Sequence, residues 1–237
     1  MKTATYKSLR DGVIRRMGLD ASLTPLTSQS AALAEYLQSA LDGMWDFYPW
    51  PDVTLTEQRT PVNHLLVVSG SALQNPIGEV LEIFDADPAA TVPNAVPFDL
   101  LSDDSISLNP DWHIPHAPVW VRFRLPAPVF SSADYNSATT YSAGDVVYYD
   151  LTGDCYLCIR GPAGNIRDAS LWRRQLIPAY LAEPAKLHAL AEAQQEDGQY
   201  DKANFLFARS KALLEDRQDD FWMRRNNAHH FTAKFNY

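Results

Sequence analysis

The sequence predicts an α+β fold: a helical bundle built from both ends of the chain, with β structure inserted between them. Three observations carry this. Apolar residues recur at helical spacing up to Tyr48 and again from Ile177, while between these stretches the period falls to two. Pro49 and Pro51 mark the first change of period, because proline cannot continue a helix and pushes the residue before it to extended backbone.

In the first segment, 1–52, Tyr6, Leu9, Val13 and Met17 form one stripe, a short helix over 5–17 that ends near Gly18. A polar connection, Thr24–Ser30, offers several N-caps. Leu33, Leu37, Leu41, Met44 and Tyr48 then share a face, and the cluster Trp45, Phe47, Tyr48 and Trp50 reads as a core plug. Residues 53–133 read as an antiparallel β-domain. Its strands lie at 53–60, 65–68, 78–84 and 119–125, with Val119, Val121, Phe123 and Leu125 alternating against Trp120, Arg122 and Arg124. Residues 134–176 form a smaller unit of three strands, with a turn at Leu151-Thr-Gly-Asp154 and a closing strand at Trp172. Residues 177–224 read as a helical hairpin, Ile177–Asp197 and Tyr200–Arg224, turning at Gly198; Pro184 starts the first helix or kinks it. The last stretch, 225–237, has aromatics, no acidic residue and neither period, and is expected as an extended C-terminal arm.

The balance of 29 acidic against 20 basic residues gives a net charge of −9, which argues against a nucleic-acid binder. The N-terminal ten residues are polar and lack the apolar stretch of a secretory signal. No stretch approaches the roughly 20 apolar residues of a membrane span. The only two cysteines give no disulfide framework, and a reducing cytoplasm is expected.

Motifs for chemistry are weak. Cys155 and Cys158 lie on a strand, where an offset of three sends their side chains to opposite faces and spoils a redox or zinc pair. His113 and His116 flank Pro115 and have no third ligand. His229 and His230 read better as an interface pair than as a metal site. Asp85, Asp87, Asp103 and Asp104 read as solvated loop acids rather than a hydrolytic carboxylate pair. No phosphate-loop, dinucleotide, nucleophile-elbow or zinc-helix motif occurs. The reading is of a protein that is not an enzyme, with no metal and no cofactor.

Two stretches carry a family resemblance. Thr5-Tyr-Lys-Ser-Leu-Arg10 through Leu33-x-x-Tyr-Leu-x-x-Ala-Leu-x-x-Met-Trp-x-x-Tyr-Pro-Trp-Pro51 resembles the head-to-tail adaptors (connectors, tail-tubular-protein-A-like) of tailed bacteriophages. Pro178-Ala-Tyr-Leu-Ala-Glu183 through Glu196-Asp-Gly-Gln-x-Asp-Lys-Ala203 is similar to the same group. The resemblance covers roughly half of the chain. It implies a virion structural protein at the head-tail junction: a homo-oligomeric ring, commonly twelvefold, between the portal protein and tail or nozzle proteins. Double-stranded DNA would pass through its lumen during genome ejection, and no membrane is involved. The resemblance also implies that the C-terminal arm grips the portal, and Arg224, Arg225, His229, His230, Phe231, Lys234, Phe235 and Tyr237 are the residues to do so.

The small middle unit resembles a chitin-binding-type carbohydrate module through Tyr141, Gly144-Asp145, Val147, Tyr149, Tyr156 and Trp172. The sugar-stacking tryptophan of that family is replaced by Ile159-Arg160. Tyr135, Tyr141, Tyr149, Tyr156 and Trp172 are therefore candidates for a tail contact or a glycan contact. A glycan contact would make the protein a carbohydrate-binding tail or accessory protein that recognises host surface glycan. A cell-wall hydrolase is the remaining reading.

Overall fold

The computed structural model describes residues 2–20, 27–67, 77–102, 105–111 and 117–232, with side chains from Gln29 in the second helix and as far as Met223 in the last. The fold is α+β, with four helices and several small antiparallel sheets among the described residues. The chain divides into two compact units, Met1–Tyr48 with Pro128–Tyr237, and Pro49–Ala127.

In the first unit a two-residue strand β1 (Thr3–Ala4) leads into α1 (Tyr6–Arg16), whose N-cap Thr5 accepts from the Ser8 N–H at 3.1 Å. Helix α2 (Thr27–Phe47) buries Leu33, Leu37, Leu41 and Met44 of the expected stripe, with Ala40 and Trp45 beside them, while Tyr48 lies just past the helix and is half-buried.

The second unit opens on a short 3-10 turn (Pro51–Val53) and, among the described residues, carries six strands: β2 (Thr54–Arg59), β3 (Leu65–Val67), β4 (Glu79–Phe84), β5 (Phe98–Ser102), β6 (Ser105–Leu108) and β7 (Val119–Arg124). They form two three-stranded antiparallel sheets ordered β2-β7-β4 and β3-β6-β5. Alternation along β7 sends Val119, Val121 and Phe123 into a core with Leu66, Ile83, Ile106 and Leu108. Its other face pairs Arg122 with Glu82 at 2.8 Å and Arg124 with Glu79. Asp85 and Asp87 organise turns. Asp85 accepts the Asn94 backbone and side-chain N–H groups at 2.8 Å each, which holds its carboxyl below the usual range, and Asp87 accepts the Ala89 N–H at 2.9 Å. Asp103, Asp104, His113 and His116 lie outside the described residues.

Back in the first unit, β8 (Val146–Tyr149), β9 (Asp154–Cys158) and β10 (Trp172–Arg174) form the expected three-stranded sheet, ordered β10-β9-β8. Strand β11 (Ile177–Pro178) pairs with β1, and a 3-10 turn (Ala179–Leu181) starts α3 (Ala182–Glu196). Pro184 sits in the first turn of α3, where its missing N–H removes no hydrogen bond, and the helix is not interrupted there. Gly198, at φ 74°, makes the left-handed turn into α4. Helix α3 is buried on several sides, through Ala185, Leu187, Ala189, Leu190, Ala191 and Ala193, because α1, α2 and α4 all pack on it. Ser210 of α4 is buried and donates to the Pro184 carbonyl at 2.9 Å.

One expectation is overturned. Helix α4 runs Tyr200–Thr232, so residues 225–232 of the expected extended arm are helical. Arg225-Asn-Asn-Ala-His-His-Phe-Thr232 contains no proline or glycine to stop a helix that has already propagated from Tyr200, and each added residue gains one backbone hydrogen bond. An apolar period is needed to dock a helix, not to extend one.

Candidate functional site

Two places were expected to contact a partner: the aromatic cluster of the three-stranded unit and the C-terminal end of the chain. Register sets the first. Val147 pairs with Tyr156, and Trp172 pairs with Cys158, so these four side chains share one face of the sheet. Tyr141 is brought in by an isolated bridge to Ala163, and Asp134 bridges to Tyr148 just before Tyr135.

The rings pack on one another. Tyr135 stacks on Tyr141 (centroids 5.8 Å apart, 24° between planes) and stands edge-on to Tyr149 at 5.5 Å and Trp172 at 6.2 Å. Tyr141 and Trp172 meet at 5.2 Å, and Tyr149 and Tyr156 at 6.1 Å. Val147, Cys158, Ala163 and Ile166 complete a hydrophobic core in which Trp172 is only 3% exposed. The Tyr141 hydroxyl accepts the Asn136 N–H at 2.8 Å, and the Tyr135 hydroxyl donates to the Gly164 carbonyl. The buried indole N–H of Trp172 has no partner among the described residues.

The fold brings the five residues together as a core. Tyr141 and Trp172 are buried; Tyr135, Tyr149 and Tyr156 are half-buried. Tyr149, Tyr156 and Trp172 form part of the wall of a groove of about 500 Å³ that also includes Leu151, Arg167 and Arg174. No flat, fully exposed ring of the kind that stacks on a pyranose occurs among the five.

The sheet is anchored to α1 through residues that carried no signal in sequence. Asp154, 1% exposed, accepts the Tyr6 N–H at 3.2 Å through Oδ1. Its Oδ2 takes both Nε (2.7 Å) and an Nη (2.5 Å) of Arg174. The Lys7 N–H donates to the Gly153 carbonyl at 2.8 Å, and the Lys7 ammonium pairs with Asp150 at 2.9 Å. A carboxylate and a carbonyl at the α1 N-terminus satisfy two of its open N–H groups and favour the positive end of the helix dipole. Gly153 is held at φ 71°, and a Cβ there would stand 2.9 Å from Lys7 Cβ. Tyr6 packs on Phe130 at 4.9 Å and Tyr148 at 5.7 Å, with the Arg10 guanidinium 5.2 Å from the Tyr148 ring centre. Burial pushes the Tyr148 hydroxyl up to about 12.

The cysteines follow the strand period. Cys155 faces the α1 side, near the Ser131 carbonyl at 3.6 Å, and Cys158 lies in the aromatic core. Burial pushes the Cys155 thiol up to about 12 and raises Cys158 as well. Neither therefore has the exposed thiolate that redox chemistry needs. Native protein should take up no thiol reagent at pH 8, and both cysteines should react after denaturation; rapid labelling of folded protein would show that the sheet opens. Among the described residues no group of three or more His, Cys, Asp or Glu could hold a metal, and no helix is long and apolar enough to cross a membrane.

The second place is the far end of α4. Its packed face, Ala203, Leu206, Phe207, Ser210, Leu214 and Phe221, lies on the α3 side, and the Phe221 ring meets Tyr180 at 5.3 Å. The next two residues, Trp222 and Met223, are each 60% exposed. At 1.5 Å per residue, α4 is about 50 Å long and α3 about 22 Å, so α4 continues past its partner. The side chains of Arg224, Arg225, His229, His230 and Phe231, and all of Lys234, Phe235 and Tyr237, lie outside what is described.

No protein-family model and no curated protein matches the chain.

Proposed function

We propose that the protein is a structural virion component, a head-to-tail adaptor whose copies form a ring between portal and tail and enclose part of the DNA channel. The observation that carries this reading is the projection of α4. A helix of 33 residues outruns its packing partner, exposes Trp222 and Met223, and leads into a stretch with Arg224, Arg225 and Lys234 and no acid. Large apolar side chains on a helix end, followed by unopposed cations, fit a site that becomes buried on assembly. The N-terminal helix pair and the C-terminal helix pair, which both pack through α3, would form the wall of the ring. The phage-adaptor resemblance of those same stretches supports the assignment.

The carbohydrate-binding reading has less behind it. The aromatic residues that would serve it are engaged with one another in a core, and Ile159-Arg160 stands where a stacking ring is needed. The small sheet is then a decoration or a tail contact, fixed to α1 by Asp154.

Negative-stain imaging of the full chain mixed with purified portal tests the adaptor reading. Rings capping the portal are expected. Subunits that leave the portal bare at micromolar concentration would sink it.

A further inference from the structure

Two flanks of α3 carry opposite charge. Helix α2 contains Glu35, Asp42 and Asp46 and no basic residue. Glu35, Ser39, Asp42 and Asp46 follow one another at spacings of four, three and four and are all exposed, which makes one acidic line along the helix. Beside it on α3 stand Glu192 and Glu196, and with Glu35 they line a groove of about 590 Å³. Ser39 donates to Glu192 at 2.6 Å and Tyr36 donates to Glu196, which fixes both carboxylates at the groove wall.

Helix α4 carries a basic stretch between Asp201 and Glu215. Lys202–Leu214 holds Lys202, Arg209 and Lys211 and no acidic residue. Within that stretch Phe205 is 66% exposed, and Ala208 and Ala212 are exposed on the same side; Lys202 and Phe205, with Asp201 one turn before Phe205, line a groove of about 480 Å³ that also includes Arg16 of α1. Glu35 and Arg209 have no ion-pair partner among the described residues. Helices α2 and α4 each pack on α3 and hardly touch each other, so the acidic and basic faces belong to different flanks of the same unit.

We propose that these two faces meet between copies of the chain: Lys202, Phe205 and Arg209 of one copy seat on the Glu35, Asp42, Glu192 and Glu196 face of the next. This rests on the ring reading and names the contact that closes the ring. A second copy is the occupant because the complementarity lies within one sequence. A two-fold dimer through either face would set like charges together, whereas a head-to-tail contact sets acid against base. A contact between different surfaces of identical copies repeats with a fixed rotation and gives a ring when that rotation closes. Phe205 supplies the apolar anchor and the charges supply register and rate of encounter.

Charge exchange tests the contact. The chain is followed by sedimentation at low ionic strength, where surface charges reach farthest, and again at physiological salt. Wild type should self-associate. Glu35→Lys with Asp42→Lys, and Lys202→Glu with Arg209→Glu, should each weaken association at least about tenfold. The four changes in one chain should restore it, as should mixing the two double variants one to one. Phe205→Ala should weaken association at either salt. Unchanged thermal melts show that these surface changes leave the fold intact. A wild-type chain that stays monomeric, association that survives both double variants, or a fourfold variant as weak as the doubles would overturn the proposal. The adaptor reading fails by a different result, a chain that associates through this contact and still ignores the portal.

Discussion

Replacing Trp172 by alanine should destabilise the first unit by about 3 kcal/mol, at the lower end of the range for emptying a buried aromatic site. Trp172 is 3% exposed and packs with Tyr135, Tyr141, Val147, Cys158 and Ile166 in a core too small to collapse around the void. One effect opposes the loss. The indole N–H is buried without a partner, a state that costs about 1–3 kcal/mol, and alanine removes it. Cavity and transfer terms win because the whole nine-atom ring system leaves with that single N–H. Trp172→Phe separates the two terms: it retains most of the packing and deletes the orphan donor, so it should cost less than about 1.5 kcal/mol. Urea denaturation measures both, and hydrogen exchange should place the loss at β8, β9 and β10. A ligand platform behaves in the opposite way. If Trp172→Ala left the urea midpoint unchanged and removed binding to a glycan array, the core assignment would be wrong.

Most of the fold could be read because hydrophobic period is a local signal. Val119, Val121 and Phe123 alternate in the sequence and are all fully buried on one face of β7. Leu33, Leu37, Leu41 and Met44 recur by three and four, and each is buried in α2. Strand β5 escaped notice for the same reason, whereas β6, Ser105-Ile-Ser-Leu108, alternates but over only four residues. Phe98-Asp-Leu-Leu-Ser102 has two adjacent leucines in place of an alternation, and both are exposed at a register shift in the pairing with β6. Strand β1 is two residues long and exists because Ile177–Pro178 lies beside it, a partner that no local pattern announces.

The site divides along the same line. Five aromatics at short spacing are conspicuous, so Tyr135, Tyr141, Tyr149, Tyr156 and Trp172 were found, but spacing does not say whether rings turn toward solvent or toward each other. Asp154 was invisible. In Leu151-Thr-Gly-Asp154 an aspartate reads as turn chemistry, and its actual partner, the Tyr6 N–H, is 148 residues away. The groups at the α1 N-terminus that this carboxylate and the Gly153 carbonyl satisfy are backbone N–H groups, which every residue except proline has, so nothing in the N-terminal sequence marks them. The acidic line of α2 and the three cations between Asp201 and Glu215 of α4 were likewise hidden in a net charge of −9, which averages both into one number.

On the proposed adaptor role, deleting residues 224–237 should abolish attachment to the portal and leave a folded subunit. The last contact of α4 on its packed side among the described residues is Phe221 against Tyr180, and the deletion begins three residues beyond it. Helix ends fray, and shortening an unpacked end changes stability by less than about 1 kcal/mol. The thermal melt should therefore be close to wild type. Helical backbone through Thr232 changes what the removed segment would do. Eight residues, 225–232, span about 12 Å as helix against roughly 26 Å extended. The reach toward a portal is shorter and the element is stiffer, so less conformational entropy is lost on docking. Attachment should then depend on a rigid helical face continuing from Trp222 and Met223, and Trp222→Ala should weaken it at least about tenfold in the full-length chain, as expected for an aromatic anchor. Arg224→Glu with Arg225→Glu should weaken it further and remove most of its salt dependence. Co-sedimentation with portal measures all three variants. Normal attachment by the truncated subunit would assign the portal contact to another surface and leave the exposed end of α4 without this role.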